Sequence, residues 1–268
     1  MARELAVSKP KKNAIGKVGD YRAELAKYAK EDSARSPSGG GNYISIKGKN
    51  FSYQGASLEE PMRVVMVDYG YENALYEGKY DPENPTSPVC FALAKTIDEM
   101  APHETSPKPQ SDNCKSCPHN QFGTADSGRG KACKNSIRVA VLSTATKKFD
   151  ADFVEKSDAA LIKLPPTSTK HFRGYLKKIT DGLQLPLFSV MTDLSFDEDE
   201  ASPVVIPQFG DEINDRKTLH ALIEKREVVQ AALMQPFDVS NYSEDKPKKK
   251  VKPQKVKPKI MAGKKSKF

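Results

Sequence analysis

All four cysteines of this chain, Cys90, Cys114, Cys117 and Cys133, fall within 44 residues, spaced C-x23-C-x2-C-x15-C. The spacing matters because of what it encloses. Residues 99–132 form a 34-residue stretch with few apolar side chains. A loop that long and that polar needs a stabiliser of its own, and a bound metal supplies one. A C-x2-C pair on a tight turn presents two thiolates to one tetrahedral zinc ion, and flanking strands or loops provide the rest. Cys114, Cys117 and Cys133 form the core of such a set. The fourth ligand is open among Cys90, His103 and His119, although His119 lies two residues past Cys117, too close to join the same tetrahedron readily.

Other uses of the four thiols fit less well. The segment Met1–Ala6 has no apolar signal region, and without an oxidising compartment clustered cysteines are metal ligands more often than disulfides. A redox C-x2-C pair leads a helix inside a βαβ unit, whereas Cys114 and Cys117 stand in the polar, turn-forming run 111–120.

The net charge of +8 resolves into unlike segments. Residues 246–268 hold eleven lysines and no acid, which leaves 32 basic against 35 acidic residues elsewhere. Of these, 1–35 carry +4, 36–192 carry +2 and 193–245 carry −9. A Lys/Pro tract cannot bury a core and is expected to be disordered, attracting polyanions and above all nucleic acid phosphates. A solubilising tail and a nuclear-import signal are its other readings. No apolar run approaches the ~20 residues of a membrane span, so a soluble, non-secreted protein is expected.

Residues 1–41 read as a flexible basic arm, with a short amphipathic helix over Asp20–Asp32 and a Ser/Gly/Pro linker at 36–41. The body, 42–216, is mainly β. Strands are expected at Tyr43–Ile46, Phe51–Tyr53 and Met62–Tyr69, with Ala74–Tyr80 as the hairpin partner of the third. Further strands fall at Cys90–Ala94, Ile137–Leu142, Ala160–Leu164, Leu187–Leu194 and Val204–Ile206. A helix capped by Thr167 or Ser168 carries Phe172, Tyr175, Leu176 and Ile179 on one face and ends at Gly182. A last helix, 217–235, sets Leu219, Leu222, Ile223, Val229 and Leu233 along one stripe. The tail 236–268 completes the chain. Short strands with one mid-chain helix suit a small barrel of OB-like type, with the cysteine segment, about 90–133, inserted between strands.

No catalytic arrangement stands out. Gly123–Lys131 resembles a phosphate-binding loop, but Arg129 and Gly130 stand where the Walker pattern needs Lys and Ser/Thr. His171 and His220 have no patterned partner, and the acidic run 197–200 lacks calcium-loop spacing. A non-enzymatic protein is expected. Arg129, Lys131 and Lys134 form a cationic cluster around the turn into Cys133, suited to a phosphate backbone. Tyr69, Tyr71, Tyr76, Lys79 and Tyr80, with Arg63 on the incoming strand, interleave aromatic and basic residues as single-strand binders do. By strand alternation Arg63 and Tyr69 share a face. Tyrosines are also good strand formers, and the charged loop can equally be a solvated one.

The order of these elements resembles a known family. Pro88-Val89-Cys90-Phe91 is followed by Cys114-Lys115-Ser116-Cys117-Pro118-His119-Asn120-Gln121-Phe122-Gly123-Thr124. Gly128-Arg129-Gly130-Lys131-Ala132-Cys133 then runs into a hydrophobic strand, and Leu164-Pro165-Pro166-Thr167-Ser168 opens a helix. Over residues 43–210, and most specifically 88–142, this resembles phage-encoded single-stranded-DNA-binding or replication-associated proteins, OB-like barrels with a four-cysteine zinc insertion. The resemblance implies that Cys90, Cys114, Cys117 and Cys133 hold Zn2+. It also implies single-stranded DNA binding in phage replication or recombination, in the cytoplasm of an infected bacterium, with replication or recombination proteins as further partners. One departure is the lysine-rich end, where such proteins often carry an acidic tail. Two other functions stay open: a zinc-stabilised module docking on replication or transcription machinery, and a virion or DNA-packaging component.

Overall fold

A computed structural model describes residues 28, 42–78, 86–126, 128–145, 148–240 and 242. Apart from Tyr28, the arm with its helix and linker lies outside these residues, as do Lys79, Tyr80 and the lysine-rich segment. The chain is mainly β. Nine strands are described: β1 (Tyr43–Ile46), β2 (Phe51–Tyr53), β3 (Ala56–Ser57), β4 (Met62–Leu75), β5 (Cys90–Ala94), β6 (Lys134–Ser143), β7 (Ala160–Leu164), β8 (Val190–Phe196) and β9 (Val205–Glu212). Three α-helices accompany them: α1 (Ala151–Lys156), α2 (Thr169–Lys177) and α3 (Arg216–Leu233).

Eight strands follow the order β3-β2-β1-β7-β6-β4-β8-β9 in a curled half-barrel, and β5 also pairs with β4. Pairing is antiparallel except between β1 and β7. The organiser is β4. Its start, Met62–Val65, pairs with β8, its end, Tyr71–Leu75, pairs with β5 on the same edge, and β6 lines the other edge. Val64, Val65, Met66 and Val67 are all buried, the near-continuous apolar run of a strand covered on both faces. On one face Val64, Met66, Ile137, Val139 and Val141 meet Phe172, Tyr175 and Ile179 of α2 and its continuation. On the other, Val65, Val67, Ala140 and Leu142 meet Val154 of α1 and Leu222, Val229 and Leu233 of α3.

The expected hairpin partner Ala74–Tyr80 is not formed. Ala74 and Leu75 belong to β4 itself, and its antiparallel partner is β5, with Leu75 opposite Cys90. Polar residues that break the apolar pattern after Val67 are paired instead of turning the chain. Asp68 meets Arg226, Glu72 meets Arg138 and Lys163, and Asn73 accepts from the Asn135 amide.

The expected face shared by Arg63 and Tyr69 is also corrected. A register shift between Met66 and Asp68 marks a bulge, and the extra residue reverses the alternation beyond it. Tyr69 and Tyr71 therefore pack with Val64 and Met66, while Arg63 keeps the parity of Val65 and Val67, whose side chains lie in the opposite cluster. On that opposite side Gly70 lets α3 close down: a Cβ there would collide with the Met234 Cε methyl.

The start of α2 is built differently from a simple cap. Ser168 precedes α2, but its buried Oγ accepts from Val205 N at 2.8 Å, and Thr167 Oγ1 donates to Pro203 O at 2.7 Å. The two hydroxyls thus tie α2 to the β8–β9 hairpin. Asp215 caps α3 by accepting from Thr218 N at 2.9 Å, and Asp150 caps α1 through Phe153 N at 3.0 Å.

Candidate metal centre and nucleic-acid interface

The far end of β4 brings the cysteines together. Leu75 lies opposite Cys90 on β5, and Ala74 lies opposite Lys134 on β6, so Cys133 comes level with Leu75 from the other side. Leu75, Val89, Cys90 and Cys133 form one buried cluster. The C-x2-C segment then folds back over it. Cys114 N donates to Met100 O at 2.9 Å, and Cys133 N donates to His119 O at 2.9 Å. Between them Asn113 Oδ1 accepts from Ser116 N at 2.9 Å, the side-chain turn that asparagine favours, and the Asn120 amide donates to Cys114 O at 2.7 Å. Gly123 and Gly130 both have positive φ, and Gly123 N donates to Gly130 O at 2.7 Å, closing the loop toward Cys133.

All four cysteines are buried, none is in a disulfide, and all four line one small cavity with Asn73 and Leu75. Burial pushes the Cys90 and Cys114 thiols up from their ordinary value, and pushes Cys133 to about 12, with the neighbouring cysteines adding to the rise. The Gln110 backbone N–H and Ser106 oppose it at Cys90, and the Asn73 side chain opposes it at Cys114. Such thiols are poor nucleophiles, because attack needs the thiolate. Among the described residues no three His, Cys, Asp or Glu side chains form a group set to hold a metal ion, so the sulfurs share a cavity without having converged. The donor chemistry nevertheless suits a soft ion: four sulfurs, from two strand ends and one turn, with hydrogen-bond donors aimed at two of them. His103 is engaged elsewhere, stacked on Phe91 at 5.0 Å with Nδ1 2.9 Å from Thr105 Oγ1. His119 does line the cavity.

The expected nucleic-acid residues divide. Arg63 is held in a two-pronged pair with Asp193 (2.7 and 2.8 Å) and by Asp211 at 2.9 Å, and these carboxylates raise its pKa further. Tyr69 is half-buried, edge-on to Phe172 at 5.2 Å and to Tyr71 at 5.9 Å. Tyr71 packs toward Ala92, Met100 and Cys114. Both support the core edge and the cysteine loop. Tyr76 is exposed at 38%, although partial burial and the nearby Glu72 push its phenol to about 12.

Lys131 and Lys134 lie together where the cysteine loop enters β6. Lys134 Nζ donates to Lys131 O at 3.3 Å, and Lys131 Nζ donates to Asn120 Oδ1 at 3.2 Å. Lys134 is exposed, as is Arg129, two residues before Lys131 in the chain. Their aromatic companion, which sequence reasoning missed, is Phe122. Its ring is 83% exposed, and the Lys131 ammonium sits 5.2 Å from its centroid. The available signal was a phenylalanine in a polar turn, bracketed by Gln121 and Gly123 in a loop with no core to receive it. Compared with known proteins, the chain matches no family model, no curated protein and no solved structure.

Proposed function

We propose that this protein binds single-stranded DNA without catalysing a reaction, through the outer surface of a zinc-clamped cysteine loop carried on an OB-like half-barrel. Phe122 carries the reading: a residue left 83% exposed, its ring beneath an ammonium, on a loop that also carries Arg129 and leads into Lys134. An exposed ring accepts the face of any base, and the flanking cations accept phosphates, which gives sequence-tolerant binding. Cys90, Cys114, Cys117 and Cys133 would hold the zinc, whose chemistry here is structural. The residues themselves bury the site and fix the loop that bears the cations. Phage replication or recombination, in the cytoplasm of an infected bacterium, is the setting that the sequence resemblance favours.

The test is fluorescence anisotropy with thymidine homopolymers at two salt concentrations. Removing one base-stacking ring costs about 1–3 kcal/mol, so Phe122→Ala should weaken binding about 5- to 150-fold. Equal affinity for duplex and single strand, or no effect of Phe122→Ala, would overturn the reading. A protein-docking role draws its support from α3, where Val228 is 71% and Ile223 49% exposed. Capture of replication or transcription components from nuclease-treated lysate, abolished by Val228→Asp, would favour it.

A further inference from the structure

The segment 159–180 holds five basic residues and no acid. Four of the five fall on α2 and its continuation, and the helix sorts them. Phe172, Tyr175 and Ile179 are buried against β4 and β6, so Lys170, Arg173, Gly174 and Lys177, spaced i, i+3, i+4 and i+7, occupy the opposite face. All four are exposed, as is Lys178, which follows. The cations of the sheet are paired: Arg63, Arg138, Lys163 and Arg226, which reaches in from α3, each face a carboxylate. Among the described residues the four cations of α2 and its continuation have no ion-pair partner. The first acid after them, Asp181, accepts from Thr180 Oγ1 at 3.0 Å.

Gly174 sharpens the character of this face. It has no positive φ and, chain neighbours and helix backbone aside, no atom of the described residues lies within 4 Å of where its Cβ would stand. Packing therefore does not call for glycine, and glycine inside a helix is less stable than alanine. Close approach of a ligand to the backbone is the use of glycine that fits an open position flanked by cations. The face also adjoins the cysteine loop. Thr169 Oγ1 donates to Asn135 O at 3.4 Å, and Asn135 follows Lys134, where the loop enters β6. Beneath the helix, Phe172 meets Tyr69, Tyr69 meets Tyr71, and Tyr71 packs on the cluster that contains Cys114.

We propose that Lys170, Arg173, Gly174, Lys177 and Lys178 form a second phosphate-binding surface, on which a DNA strand leaving the cysteine loop lays its backbone along α2. That the strand comes from the loop rests on the DNA-binding reading above, whereas the phosphate chemistry of the face does not. From Lys170 to Lys177 the helix axis runs about 10 Å, room for more than one phosphate of the same strand. A face of cations and one glycine holds the backbone and reads no base, so contact here adds affinity without sequence preference.

The experiment uses the full chain, the triple variant Lys170→Gln/Arg173→Gln/Lys177→Gln, Gly174→Leu and Phe122→Ala. A charge control, Lys156→Gln/Arg216→Gln/Lys217→Gln, removes as many cations from the helices on the other side of the sheet. Anisotropy with a thymidine strand of about 20 nucleotides, between about 50 and 200 mM salt, is read beside circular dichroism and the thermal midpoint. The α2 triple variant should lose at least about tenfold in affinity at ~50 mM salt, with a salt slope smaller by about 2, three phosphates at about 0.7 each. The control should lose less than about threefold. Gly174→Leu should keep or raise the thermal midpoint yet bind at least about threefold more weakly, with every cation retained. A loss in the α2 triple variant no larger than in the control overturns the phosphate surface, and full affinity in Gly174→Leu overturns the close approach at its backbone. If the α2 triple variant fails to fold, Arg173→Gln takes its place, with an expected loss of about threefold. Phe122→Ala separates the two readings. Full affinity there, beside a loss in the α2 variant, removes the loop contact and leaves the helix surface standing; the reverse result removes the helix surface alone. A full chain that binds no strand removes both.

Discussion

Glu72 has no place in a search for sites by motif, yet it is the most consequential charge in the sheet. Its side chain is 1% exposed toward the end of β4, with Arg138 Nε at 2.5 Å on one side and the Lys163 ammonium against Oε1 on the other. Among the described residues Oε1 accepts no hydrogen bond of ordinary geometry, so its compensation is the ion pair itself. The same Arg138 holds the end of α3 through the Leu233 and Gln235 carbonyls. In Glu72→Gln, Lys163, with 43% of its side chain exposed, turns toward water, but Arg138, at 13%, keeps its charge inside without a counterion. The expected loss is about 3 kcal/mol, the lower end for a broken buried pair, read as a fall in the urea midpoint. A change under ~0.5 kcal/mol would mean that water already serves the pair.

Arg63 and Asp193 make a second test at this scale. The Arg63 guanidinium holds the Asp193 carboxyl below the usual carboxylate range, with Asp211 as the other charge facing that guanidinium. A carboxyl depressed in the folded state stabilises above its unfolded pKa, and that contribution is lost as pH falls through the folded value. Asp193→Asn should therefore be less stable than the parent at pH 7, with the two converging as the medium is acidified below pH ~4. A constant gap down to the acid limit would assign the loss to hydrogen bonding alone.

Among the elements, β1, β2 and β5 keep the bounds that alternation and flanking turns predict, as does β7; α2 begins directly after Thr167 and Ser168, and α3 begins one residue before its expected start at 217. The failures share a cause. β4 was expected to end at Tyr69 because Asp68, Gly70, Glu72 and Asn73 break its apolar pattern, and partners distant in sequence are what keep those residues in the strand. A bulge is invisible to a rule of strict alternation, so the side of the sheet taken by Arg63 was misread. Helix α1 escaped notice because six residues with one buried side chain, Val154, give no helical period to detect. The cysteine site was more legible, because C-x2-C and Cys133 lie close along the chain. That Cys90 joins them depends on β5 pairing with the end of β4, and that Tyr242 covers them depends on where α3 ends. Phe122 was obscured by its surroundings, since a ring in a polar loop is weighed by exposure, which only the fold supplies.

At the scale of the whole molecule the half-barrel and the cysteine loop differ in what stabilises them. The sheet has two apolar clusters, one on each face, and helices over both. The loop between β5 and β6 contributes Met100, Cys114 and Cys133 to small satellite clusters and is further held by turns and hydrogen bonds. A structural ion in the cysteine cavity would supply the folding free energy that this loop lacks. Cys117→Ser or a chelator should therefore open the loop before the sheet. Hydrogen exchange should quicken across 99–132 while β4, β6 and β7 keep their protection. Zinc content should fall from about one per chain, and DNA affinity should fall as far as in the Phe122→Ala variant or further. The order of events is what matters: loss of loop protection must accompany loss of binding. If Cys117→Ser kept full protection across 99–132 and still abolished binding, the sulfur would touch the ligand, and the structural role of the site would be wrong.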